Sequence, residues 1–346
     1  MHAKRVFVLS GVAAMTILGA SKLAVGSSPA QPGPLPLSSS SYVLGDALGA
    51  YEAFMMSGGP PPDGIPSIDA PQFVSASAAR LQPGDMVIGF QHRGEARAYP
   101  QRLLVHHEIV NDRVGGLNIA VTYCPLTATA QGFERGTSTL GVSGRLLNSN
   151  LVMYDRESGT LFSQINATGL RGKHRGRTLA EVELVWTTWE KWRAAHPETR
   201  VLSDRTGHLR NYARDPYGSY NPRQGYYQRA ATIFPVMHES KRQHAKEMVV
   251  GARTSERSAY FVMAALSRNR LQATENFVAV HDRELDAGYV YLRDPKGPRV
   301  TPRTDGRFEV GGRAFRADAL PLKRLVAVEA FHFAWHAFYP NSETVR

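Results

Sequence analysis

Hydrophobic and polar positions trace short strands rather than long helices through most of the chain. Residues 86–100 read MVIGFQHRGEARAYP: an apolar run, a polar turn, then a second alternating run, the pattern of a hairpin with one buried face. Residues 248–261, MVVGARTSERSAYF, follow the same pattern. Further along, IAVTYC (119–124) aligns with FVAVHD (277–282), and Phe133-Glu134-Arg135 aligns with Tyr291-Leu292-Arg293. Each half closes with a tryptophan five residues before a proline, Trp192 to Pro197 and Trp335 to Pro340. TTWEKWRAAHP reads as a short helix, with Thr187 or Thr188 as its N-cap and proline beyond its last turn. Three matches in one order predict an α+β, β-rich protein of two related lobes, arising from an internal duplication, each ending in a short helix.

The pattern also divides the chain. Residues 62–203 form the first repeat and 247–346 a second, shorter and degenerate one. Between them, 204–246 is rich in Tyr, Arg, Gly and Pro and sustains no period, so it reads as a long ordered crossover. Residues 27–61 are Pro-, Ser- and Gly-rich and predict a flexible spacer. Residues 1–26 carry Lys4 and Arg5 and then an apolar run from Val6 to Ala20, the layout of an export signal. Cleavage near Ala24–Ser27 and retention as an N-terminal anchor are both open. The protein is expected outside the cytoplasm, periplasmic or tethered to the membrane surface by its N-terminus.

Charge adds little to this picture. The formal charge is +11, of which Lys4, Arg5 and Lys22 supply three, leaving about +8 spread thinly over the rest. No nucleic-acid motif is present, and none is expected of an exported protein.

The repeat works as an internal control on chemistry. Cys124, the only cysteine, aligns with Asp282, and His106-His107-Glu108 falls near 267–270, which has neither histidine nor carboxylate. The reactive set therefore belongs to the first repeat alone: HHEIVND (106–112) and TYCPLTATA (122–130), joined across a turn at Gly115-Gly116. Cys124, His107, Glu108 and Asp112 are the catalytic candidates. Cys124 fits three readings: a nucleophile whose thiolate His107 stabilises, a soft metal ligand beside His107 that suits copper or zinc, or a buried small hydrophobe. The stretch 141–164, GVSGRLLNSNLVMYDRESGTLFSQ, supplies Ser143, Asn148, Ser149, Asp155, Arg156 and Gln164 as ligand-binding candidates. Its Gly-x-Ser-Gly is not a nucleophile elbow.

HEIVND, VTYCPL, the whole 141–164 stretch and TTWEKWRAAHPETRVLS resemble the family catalogued as domain of unknown function 3179, from about Asp63 to the C-terminus. The resemblance implies a prokaryotic exported or membrane-associated protein and no particular activity. His107, Glu108, Asn111, Asp112, Cys124, Pro125, Ser143, Gly144, Asn148, Ser149, Asp155, Arg156, Ser163 and Gln164 match its pattern. Thr127 stands where some members have a second cysteine, so a Cys-x-x-Cys couple is unavailable, and Phe162 replaces the family's tryptophan.

The function expected on these grounds is an exported Cys/His-centred protein that binds a small molecule or a metal ion, either an enzyme or a metal-binding protein. The alternative is a non-catalytic ligand-binding or structural module with Cys124 inert.

Overall fold

Each of the two hairpins read from the pattern opens a similar order of elements. In the computed structural model, which describes residues 33–345, strands Met86–His92 and Glu95–Pro100 lead into helix α2, Gln101–His107 (α1 is Leu48–Phe54). Strands Ile109–Val114, Leu117–Cys124 and Thr129–Glu134 follow. The second half runs Met248–Arg253, Ser258–Val262, helix α4 (Met263–Asn269), Leu271–Ala273, Phe277–Asp282 and Ala287–Leu292. A closing strand and helix complete each half: Val185–Thr188 with α3 (Trp189–Ala195), and Val328–Phe331 with α5 (His332–Phe338). The register matches too. Val185 pairs with Gly89 in one half and Val328 with Gly251 in the other.

Strand accounts for 38% of the structure and helix for 11%, in five helices among the described residues, so the class is β-rich α+β. None of these helices is long and apolar enough to cross a membrane. Thr188 occupies the N-cap of α3, but its hydroxyl makes no capping bond.

The halves share one sheet. Its order is Ser258–Val262, Met248–Arg253, Val328–Phe331, Thr129–Glu134, Leu117–Cys124, Ile109–Val114, and Glu329 pairs with Ala130 where the halves meet. A second sheet carries the motif-rich stretch: Leu140–Leu147 and Asn150–Asp155 form a hairpin, flanked by Leu161–Ser163 and Gly169–Arg171. Asn148 and Ser149 make its two-residue turn, both with positive φ (52° and 61°), the geometry that lets a tight turn follow the strand twist.

The stretch expected as a flexible spacer is built into the body from residue 33 on. Leu37–Ser38 pairs with Thr178–Leu179. Tyr51 of α1 is fully buried and donates its hydroxyl hydrogen to Phe338 O at 3.0 Å. Arg253, buried in an ion pair with Glu181 at 2.8 Å, lies 4.6 Å from the Tyr42 ring. A few apolar anchors hold a segment whose average composition reads as solvated. The expected signal or anchor over 1–26 lies outside the described residues.

The crossover is ordered, with little regular structure. Its strands are only Gly218–Ser219 and Gln224–Gly225. Buried groups pin it: Tyr227 is fully enclosed, and Lys246 Nζ donates to Arg229 O at 3.1 Å and Ala231 O at 2.9 Å.

Candidate functional site

Helix α2 ends at Glu108 in the left-handed conformation (φ 57°), where its N–H donates to Leu104 O at 2.8 Å. The chain turns at once into the strand Ile109–Val114, which pairs with Leu117–Cys124. Glu108 O accepts Tyr123 N–H at 2.7 Å, so the helix end is stitched beside Cys124. The same turn recurs in the second half. Arg270 is left-handed at the end of α4, and its carbonyl accepts His281 N–H at 2.9 Å.

The side chains at that shared position differ in how they are satisfied. Arg270 donates to Arg303 O at 2.9 Å and to Gly306 O at 2.5 Å. Glu108 is 8% exposed, and no hydrogen bond reaches its carboxyl among the described residues. Burial alone pushes it up to about 8. An unpaired charge in such a place is costly, so the carboxyl holds its proton at neutral pH.

Cys124 is buried, and its thiol is pushed up to about 11, by burial first and then by the Glu108 charge. Its Sγ donates weakly to Ser149 O at 3.8 Å. Tyr217 and Tyr226 of the crossover pack on the apolar cluster that contains it. Tyr226 OH donates to Leu126 O at 2.7 Å. Burial raises the Tyr217 phenol, with Glu108 and Cys124 adding to the effect.

His107 is not available to this pair. Its Nδ1 lies 2.7 Å from Pro66 O, which can only accept, so Nδ1 carries the hydrogen. Burial holds the ring down to about 4, so it is neutral and Nε2 accepts from Tyr212 OH at 2.6 Å. With both nitrogens engaged, the ring cannot stabilise a Cys124 thiolate, nor ligate a metal without breaking a bond. Among the described residues no group of three or more His, Cys, Asp or Glu side chains is placed to hold a metal ion. The donors expected for copper or zinc therefore do not fit that role here.

Asp112 sits four residues along the strand from Glu108, roughly 13 Å away at strand rise. It accepts from Tyr99 OH at 2.7 Å and from Arg113 N–H at 2.7 Å. The ligand-binding candidates also spend their polar atoms on the protein. Ser143 donates to Val152 O where the hairpin register shifts. Asn148 donates to Ala337 O at 3.1 Å and accepts Met237 N–H at 2.8 Å. Ser149 donates to Phe234 O at 2.7 Å. Asp155 accepts from Ser138 and Ser158. Arg156 bridges Asp63 at 2.8 Å and Asp69 at 3.2 Å.

Gln164 donates to Thr122 Oγ1 at 2.8 Å and accepts from Asn150 at 2.7 Å. Asn150 also donates to Thr127 Oγ1 at 2.9 Å. Thr127 is thus a member of a buried polar network. Thr122 and Asn150 are not among the candidates read from the sequence, where Thr127 figures only as the residue that rules out a Cys-x-x-Cys couple. Only their polarity inside strand-like apolar runs could have flagged them.

A family model described as a protein of unknown function (DUF3179) matches residues 62–342. Neither the curated proteins nor the solved structures contain a match to the chain.

Proposed function

The chain belongs to the DUF3179 family, and from that premise we propose an exported small-molecule-binding protein whose working group is the neutral carboxyl of Glu108, with Cys124 as its buried and unreactive neighbour. The observation that carries this reading is the contrast between Glu108 and Arg270. The fold has a left-handed residue at the end of that helix in both halves, and in the second half its side chain donates to two backbone carbonyls. At this position only the first half bears a carboxyl, and no hydrogen bond reaches it among the described residues. Groups perturbed in this way cluster at functional sites. A protonated carboxyl can donate a hydrogen bond to a ligand oxygen and act as a general acid near neutral pH.

Export rests on Lys4, Arg5 and the apolar run from Val6 to Ala20, and attachment to a membrane surface would use the same segment. We attribute the two halves to duplication of one unit; the matched registers at Gly89 and Gly251 support it.

Infrared titration of the native protein tests the assignment. A protonated-carboxyl band that disappears as pH rises through about 8, and is missing in Glu108→Gln, is the expected result. A Glu108 that titrates near 4.3 overturns it. Alkylation separates the thiol reading: Cys124 is expected to react only on unfolding. Rapid reaction with a midpoint below about 8.5 would restore a thiolate enzyme. Stoichiometric copper or zinc that is lost in Cys124→Ser would restore the metal reading.

A further inference from the structure

The crossover and the start of α2 enclose a cavity of about 330 Å³ whose lining includes neither Glu108 nor Cys124. Six of its residues bear on the argument: Asp85, Gln101, Arg102, Tyr212, Asp215 and Tyr220. We propose that this cavity binds a small zwitterion of the free amino acid class, its carboxylate on Arg102 and its ammonium on Asp215.

The floor is built rather than incidental. Asp215 is fixed by Tyr217 N–H on Oδ1 at 2.8 Å and by Tyr227 OH on Oδ2 at 3.0 Å. Tyr227 and Tyr123 are fully buried, and Gln101 Nε2 donates to Tyr123 OH at 3.0 Å. A satisfied buried network of this kind holds its charged member in place. At the cavity edge, Asn221 Nδ2 donates to Gly84 O at 2.9 Å and fastens the crossover to the body.

The lining carries both signs of charge. Arg102 is half-buried and has no ion pair among the described residues, unlike Arg97, Arg156 and Arg253. A half-buried guanidinium without a partner suits a carboxylate or phosphate oxygen. Asp85 accepts only from the exposed backbone of Gln82 at 2.8 Å, whereas Asp215 is held by the buried Tyr227, and its two oxygens each keep a lone pair for a further donor. A simple amine would leave Arg102 unmatched. A simple acid would put a second negative charge near Asp215. A zwitterion satisfies both charges. The volume lies at the low end of ligand cavities, which favours a single amino acid over a nucleotide or a longer peptide.

Calorimetric titration of the full chain decides the matter. The probes are L-alanine and L-phenylalanine, each with its C-terminal amide and its N-acetyl derivative. The free amino acids are expected to bind, with each blocked form at least about ten-fold weaker. Arg102→Gln should weaken the free amino acid about ten-fold while leaving the amide within about two-fold. Asp215→Asn should do the same with respect to the N-acetyl form. Because Asp215 belongs to a buried network, melting curves accompany it, and Arg102→Gln decides alone if the Asn variant unfolds. Equal binding of the amide means a cation site, equal binding of the N-acetyl form means an anion site, and either overturns the proposal. So does an absence of binding by all six compounds at about 10 mM.

Discussion

Trp192 lies against Gly89 so closely that a methyl group on that glycine would overlap its ring carbons. The indole N–H donates to Thr199 Oγ1 at 3.0 Å, which fixes the ring from its other end. Trp335 repeats the relationship on Gly251, where a methyl group would fall 2.5 Å from the ring, and its indole N–H donates to Ser342 Oγ at 3.0 Å. Gly89→Ala and Gly251→Ala should each overpack the closing helix and cost about 1–3 kcal/mol. Denaturant melts of the two variants check this; an unchanged midpoint in both would mean that the tryptophans are free to move.

The Glu108 carboxyl makes stability depend on pH in a defined direction. Its folded value, about 8, stands above the unfolded value of roughly 4.3. Its favourable contribution is therefore complete below about pH 4.3 and is lost as pH rises toward 8. Glu108→Gln should match the parent near pH 4 and exceed it increasingly up to pH 8, by an amount on the order of 2–4 kcal/mol. Stability curves that stay parallel over that range would remove Glu108 from the buried acids.

His332 should behave in the opposite sense. The ring is fully buried in α5, and neither nitrogen has a partner among the described residues. Burial holds it down to about 4, with His336 and Arg242 adding to the effect. A depressed value means that stability is complete above the unfolded value of roughly 6.5 and falls away as pH drops through about 4. His332→Phe removes that loss and leaves a ring beside Tyr260. The variant should be more stable than the parent at pH 5 by about 2 kcal/mol more than at pH 7. Chemical melts at the two pH values measure the difference directly.

What the sequence made legible follows the range of the interactions. The hairpins, the short closing helices and the β-rich class come from local pattern, and each is visible in MVIG, MVVG and the two Trp–Pro endings. The alignment of Cys124 with Asp282 also agrees with the pairing, since Cys124 meets Thr129 as Asp282 meets Ala287. The partners of the candidate site residues come from far along the chain. Asn148 reaches Met237 and Ala337, Ser149 reaches Phe234, and His107 reaches Pro66 and Tyr212. No spacing rule announces such bonds. His107 and Cys124 look like a pair because both are reactive and near in sequence, yet the left-handed turn at Glu108 puts the carboxylate residue next to the thiol. The same limit explains the spacer: averaged over a Pro- and Ser-rich stretch, Tyr51 and Leu35 vanish, although each is an anchor in the core.

A buried lysine ties down the part of the crossover that packs on the cluster containing Cys124. Lys246 is 1% exposed, and its ammonium sits 3.7 Å from the Tyr226 ring while donating to the carbonyls of Arg229 and Ala231. Tyr226 in turn packs on the cluster around Cys124. Lys246→Met keeps the length of the side chain but leaves those carbonyls without a buried donor, at a cost of about 1–3 kcal/mol. The cost falls on the crossover rather than on the sheets, so the segment should open locally before the body unfolds. Cys124 in the variant should therefore be alkylated faster than in the parent under native conditions, by about ten-fold or more, with little change in the main unfolding transition. Matching alkylation rates in parent and variant would show that the thiol is covered by something other than the roof Lys246 holds.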